Sequence, residues 1–219
     1  MSITDLLRFG TKRAGDAVPP SAVLHGGETV VVSKALPKMV SALSQQDAPT
    51  LVDFGPVIGS NVAFFGEQLG CKLFIEDLAT DLERHTRAGT REELPAAFER
   101  RLPQADGSVD GVLCWDIFDF LERQAAQALA REIVRVLRPG GAMMAFFCTT
   151  AGKERASFTK FEIIEDGTLR HRRHHGAGGT KFVLQNRDII RMFDGLLVSD
   201  SFLLKSNTRE MLLRKRAAA

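Results

Sequence analysis

No stretch of this 219-residue chain approaches the roughly 20 consecutive apolar residues that a membrane-crossing helix needs. Its three cysteines, Cys71, Cys114 and Cys148, contain no C-x-x-C pair. A disulfide framework and a zinc ribbon are therefore both disfavoured, and reduced thiols fit better. Twenty-nine basic against 27 acidic residues leave a formal charge of +2. So small an excess gives no general attraction to nucleic acid or anionic lipid. The opening Met1-Ser2-Ile3-Thr4-Asp5 lacks the charged-then-apolar pattern of a secretory signal, so a cytoplasmic protein is expected. Internal repeats and low-complexity segments are absent too. The Gly-Lys-Ser/Thr of a phosphate-binding P-loop is also missing.

What the chain does contain is a strand–turn–helix–strand unit. Leu51-Val52-Asp53-Phe54 reads as a buried strand, Gly55-Pro56-Val57-Ile58-Gly59 as a tight turn, and Lys72-Leu73-Phe74-Ile75 as a second strand ending in Glu76 and Asp77. Such a unit is the nucleotide-binding half of a doubly wound α/β sheet. Glu76 follows Gly55 by 21 positions, the spacing at which a carboxylate takes the hydroxyls of a ribose. The turn argues against a dinucleotide. A pyrophosphate wants bare backbone, whereas Val57 stands where the middle glycine would be and Pro56 has no N–H to donate. A nucleoside without phosphates tolerates Val57 better.

Four blocks together resemble the class I S-adenosylmethionine-dependent methyltransferases. They are Val52–Gly59, Ile75-Glu76-Asp77-Leu78, Leu102–Asp116 and Val136-Leu137-Arg138-Pro139-Gly140-Gly141. The resemblance implies an α/β, doubly wound (Rossmann-like), mostly parallel seven-stranded sheet. It adds an antiparallel C-terminal strand pair and helices on both faces. Residues 33–219 would form this domain, with a hairpin insert near 157–175, preceded by an N-terminal extension over 1–32. The implied cofactor is S-adenosylmethionine and the implied activity is methyl transfer. The acceptor is expected to be a small molecule, with neither nucleic acid nor membrane as partner.

The resemblance also assigns residues. Asp53, Gly55, Pro56 and Gly59 would bind the cofactor, with Asp53 ordering the turn and the cofactor's amino end, or simply capping the turn as a strand-end carboxylate. Glu76 would take the ribose, with Asp77 as a one-residue alternative or simply a helix cap. From their place after the fourth strand, Trp115 could wall the pocket or simply belong to the core, and Asp116 could orient or deprotonate the acceptor. Methyl transfer from a sulfonium rests mainly on alignment and exclusion of water, and needs a base only when the nucleophile must lose a proton. Asp116 lies at the carboxyl edge of a strand, where such sheets bind ligands. It could equally be an ordinary loop carboxylate. Arg170 and Arg172, on one face of the insert's second arm, could grip an acidic acceptor, or the hairpin could merely cover the sheet edge. His171, His174 and His175 lack the partner set of a metal site, and no metal is expected.

Two features point elsewhere. Val57 departs from the first motif, and Arg91–Leu102 is too charged to be a buried third strand. They support an alternative, a non-catalytic S-adenosylmethionine-binding or protein-interaction module that keeps the fold.

Periodicity supplies the remaining elements. Ile3–Phe9 reads as a short amphipathic helix, Thr29–Val32 as a strand, and Ser33 as the cap of a helix to Leu43. Ser60 or Asn61 would cap the helix after the turn. Ala125–Leu137 is the clearest helix, with Ala125, Leu129, Ile133 and Val136 at helical spacing. Asp166-Gly167 turns a hairpin, and Gly176–Gly179 reads as a loop.

Overall fold

The computed structural model describes residues 22–24, 28–150, 156–165 and 167–217. The helix expected over Ile3–Phe9 and the turn residue Asp166 lie outside these. In chain order the elements are β1 (Ala22–Leu24), β2 (Glu28–Val32), α1 (Leu36–Leu43), β3 (Thr50–Asp53) and α2 (Gly59–Val62). Then come β4 (Lys72–Ile75), α3 (Leu78–Ala88), α4 (Leu94–Phe98), β5 (Val109–Trp115) and α5 (Arg123–Val136). The chain ends with β6 (Leu137–Cys148), β7 (Ala156–Glu165), β8 (Thr168–Gly179), α6 (Asn186–Met192), β9 (Leu196–Leu203) and β10 (Thr208–Lys215).

A six-stranded sheet in the order β4-β3-β5-β6-β10-β9 forms the centre. Its first four strands are parallel, and β10 runs antiparallel between β6 and β9. Near-continuous apolar runs such as Val112-Leu113-Cys114-Trp115 suit strands covered on both faces. One apolar cluster gathers α3, α4, α5 and α6 on one face, and another gathers α1 with Leu51, Leu113, Met144 and Leu212 on the other. Among the described residues the central sheet lacks the seventh strand expected from the resemblance. In its place Arg91–Glu93 makes a 3₁₀ turn and Leu94–Phe98 a helix, burying Leu94 and Phe98 while their charged neighbours stay in solvent.

A second, antiparallel sheet has the order β1-β2-β8-β7. The insert is thus longer than its expected bounds, and the strand read at Thr29–Val32 pairs with it as β2. Gly176–Gly179, expected as a loop, continues β8. Gly178 stays in the strand because its neighbour leaves no room for a side chain: a Cβ there would meet the Ala156 carbonyl oxygen at 2.5 Å. Gly167, at φ +77°, turns the hairpin, and its carbonyl accepts from Ser33 N–H at 2.7 Å.

Candidate functional site

Strand order reverses between β3 and β5, the switch point at which doubly wound sheets open a crevice beyond their carboxyl ends. Asp53 ends β3 and Glu76 follows β4, where the Glu76 N–H donates to the Asp53 carbonyl at 2.7 Å. The two acids read as cofactor ligands therefore sit side by side on neighbouring strand ends. The turn after Asp53 passes Gly55, Pro56 and an exposed Val57 before α2 begins at Gly59.

The acids among these groups are already engaged within the chain. The Asp53 carboxylate is 2% exposed and accepts from Gly55 N–H at 2.8 Å and Trp115 Nε1–H at 2.5 Å. Burial pushes its carboxyl up to about 6, opposed by those two hydrogen bonds. Glu76 pairs with Arg101 at 3.1 Å. Asp77 accepts from Thr80 N–H at 3.1 Å and caps α3, the plainer of the two roles open to it.

Trp115 explains why residue 55 must be glycine. A Cβ there would lie 2.8 Å from Trp115 Nε1 and 2.9 Å from its Cδ1. The bare backbone that the turn offers is met by an indole of the same chain. Trp115 itself sits at φ +47°, a strained setting for a bulky side chain. Its ring lies near-parallel to Phe161 (5.1 Å, 7°) and Phe146 (6.3 Å, 19°).

The insert completes the closure. Phe158 of β7 packs on Phe120 in one core cluster, and Phe161, three residues on, belongs to the opposite cluster. β7 therefore crosses over the carboxyl ends of the central strands. Asn61 holds it there: Nδ2 donates to the Phe161 carbonyl and Oδ1 accepts from Ile163 N–H, both at 2.8 Å. The expected capping role of Asn61 or Ser60 is not seen, since Ile58 precedes the first turn without a side-chain cap. Between Gly55, Pro56, Trp115, Asp116, Phe158 and Thr159 the free space is about 20 Å³, room for about one water.

Asp116 lies beside this space, buried, with Asp119 and Lys181. Lys181 Nζ is 3.0 Å from Asp119 and 3.5 Å from Asp116. Burial raises the Asp116 carboxyl to about 6, against the pull of Lys181 and a hydrogen bond from Thr159. Burial likewise raises Asp119. Burial alone would lower the Lys181 ammonium, but the two carboxylates outweigh it and hold it above its ordinary value.

Sequence reasoning missed Lys181, Asn61 and Arg101. Each acts through a partner distant in sequence, and only the charge of Lys181 and Arg101 offered a signal. The arginines expected to grip an acceptor are internally neutralised. Arg170 pairs with Glu162 at 3.1 Å, and Arg172 with Glu28 at 2.9 Å and Glu162 at 3.3 Å. His171 turns its ring edge onto Phe161 at 4.7 Å. Among the described residues no group of side chains could hold a metal, and no helix is long and apolar enough to cross a membrane.

Residues 52–145 match the family described as a methyltransferase domain. A Mesorhizobium loti S-adenosylmethionine-dependent methyltransferase superposes with a TM-score of 0.50 at 13% identity, covering 82% of this chain and 96% of that one. A type 11 methyltransferase from Sulfolobus solfataricus, described as putative, gives 0.42 at 15% identity over 84% and 90%. A Burkholderia thailandensis N1-methyltransferase, solved with 1,6-didemethyltoxoflavin and S-adenosylhomocysteine, gives 0.46 at 15% identity over 84% and 79%. No curated protein matches the chain significantly. The chain has the Rossmann-like fold of the class I S-adenosylmethionine-dependent methyltransferases.

Proposed function

We propose that the protein binds S-adenosylmethionine at the carboxyl ends of β3 and β4 and methylates a small-molecule acceptor. The observation that carries this reading is the pairing of Asp53 with Glu76 on adjacent strand ends, joined by the 2.7 Å backbone hydrogen bond and flanking a glycine turn. These groups fit such a cofactor in kind and position. In the conformation described, Trp115 and β7 occupy the space. The cofactor, when bound, supplies a methyl group already activated by a sulfonium.

The chain's own residues would do the rest. Gly55 offers backbone, Asp53 faces an ammonium, and Glu76 exchanges Arg101 for two ribose hydroxyls. Val57 and Pro56 disfavour a pyrophosphate. Asp116, held by Lys181 and Thr159, accepts a proton from an acceptor that must lose one. A carboxyl raised to about 6 remains mostly ionised at neutral pH and is a stronger base than an ordinary carboxylate. With Arg170 and Arg172 already paired, an acidic acceptor gains nothing from them.

A second reading, a non-catalytic interaction module, draws on the filled cleft. The two part on calorimetric titration with S-adenosylmethionine, S-adenosylhomocysteine and NAD. The first requires binding of the two sulfur nucleosides and not NAD, and a loss of about tenfold or more in Glu76→Ala, the worth of a charge-assisted hydrogen bond. Equal binding by Glu76→Ala would remove the ribose assignment. No binding at all would favour the module.

A further inference from the structure

We propose that the hairpin insert is an autoinhibitory strap: β7 fills the cofactor cleft in the resting chain, and a nucleoside enters only when β7 lifts from Asn61 and Trp115. This rests on the reading of the cleft as a cofactor site.

The closure is built from specific contacts. Among the described residues β7 is the outer strand of its own sheet, and one edge of its backbone has no strand partner there. Asn61, 3% exposed, supplies that partner from α2, its amide pairing with Phe161 and Ile163 as a neighbouring strand would. Phe161 then stacks on Trp115 and Phe146, and Trp115 in turn covers Gly55 and occupies Asp53. One chain of contacts therefore links the insert to the group read as the cofactor's ammonium partner. Lifting β7 frees the indole, and freeing the indole uncovers Asp53 and the turn.

The closed arrangement also carries costs that opening relieves. His171 Nε2 is buried with no hydrogen-bond partner among the described residues, and a buried polar atom left unpaired is unfavourable. Trp115 is held at a positive φ, the kind of backbone strain that gathers at switch regions. Asp53 and Asp116 are kept from water, and both lose acidity for it. No covalent bond fastens the insert to the cleft. Its turn is tied to the start of α1 by Ser33 N–H to Gly167, so the β7 edge can swing about that tie.

Affinity in such a system is the intrinsic affinity multiplied by the open fraction. Weakening the closed state alone must therefore tighten binding. The test titrates S-adenosylhomocysteine into the full chain and into Asn61→Ala, Asn61→Asp and Phe161→Ala, with circular dichroism confirming the fold of each. At least one folded variant should bind about tenfold tighter than the parent, because the hydrogen bonds or stacking it loses belong to the closed state only. Hydrogen exchange of the Ile163 amide in the parent should rise on saturation with the nucleoside, whatever the variants do. Binding by the parent with no rise at Ile163, or with every folded variant equal to it, overturns the strap and leaves the methyltransferase reading standing. Failure of parent and variants alike to bind removes the cofactor site itself, and the strap with it.

Discussion

The two sheets of this molecule hold together by different means. In the central sheet, β5 is buried along nearly its whole length and both faces are covered by helices. The register of the inner strands β3, β5, β6 and β10 is fixed by apolar contacts above and below. The small sheet is one-sided. Phe161, Ile163 and Leu169 face the body, while Glu28, Glu162, Arg170 and Arg172 form a half-exposed ion-pair group on the other side. Exposed pairs of this kind add little, typically under about 1 kcal/mol each. The inner strands of this scaffold, the central sheet, are therefore expected to be lost together. The small sheet buries one face only, through Phe158, Phe161, Ile163 and Leu169, and one-sided segments are expected to open locally before the rest.

This contrast can be broken by substitution. The largest effect is expected in the scaffold: Phe118→Ala, at a fully buried ring packed on Phe147 and Phe193, should cost about 3–5 kcal/mol. Denaturant unfolding would read this as a lower midpoint with unchanged slope, and exchange protection should fall together across β3, β5 and β6. Leu169→Ala, also fully buried but in β8, should cost less, about 2 kcal/mol. Its exchange should rise first over residues 156–171 while the central strands keep their protection. Simultaneous loss in both sheets would show that they unfold as one unit.

The smallest expected effect concerns pH. Burial lowers the His171 imidazole to about 4. Below its ordinary value near 6.5 the unfolded chain takes up a proton that the folded chain does not. Stability from this group is therefore complete above about pH 6.5 and is lost progressively towards about 4. His171→Phe removes that loss. The variant's melting temperature should therefore gain on the parent's between pH 7.5 and pH 5, and an unchanged gap would mean that the ring is not buried against Phe161. Asp53 and Asp116 work in the opposite direction, but they are common to both proteins and cancel.

The same contrast separates what was legible in the sequence from what was not. Leu51–Asp53, Lys72–Ile75 and Val112–Trp115 announce themselves by apolar runs, and α5 by its 3.6-residue period, because in the scaffold local pattern and tertiary burial agree. The lost third strand was legible too, in the charge of Arg91–Leu102. The site was less so. Spacing singled out Glu76 and the family resemblance Asp53 as candidates, but nothing local says that Trp115 fills the open side of Gly55. Asn61 reads as a helix cap because asparagine near a first turn usually is one. Its actual partners lie 100 and 102 residues away. Glycines 176 to 179 read as a loop because glycine weakens strands, yet at Gly178 a close backbone approach is what demands it.

The chain contains one tryptophan and no tyrosine. That tryptophan, Trp115, bonds to the Asp53 carboxylate and stacks near Phe161 beneath β7. The protein's intrinsic fluorescence is therefore the signal of a single indole at the mouth of the cleft. Any movement of β7, any ligand reaching Gly55 and any proton taken up by Asp53 alters the surroundings of that one ring. The molecule carries its own optical reporter of whether the cleft is open, with no label attached.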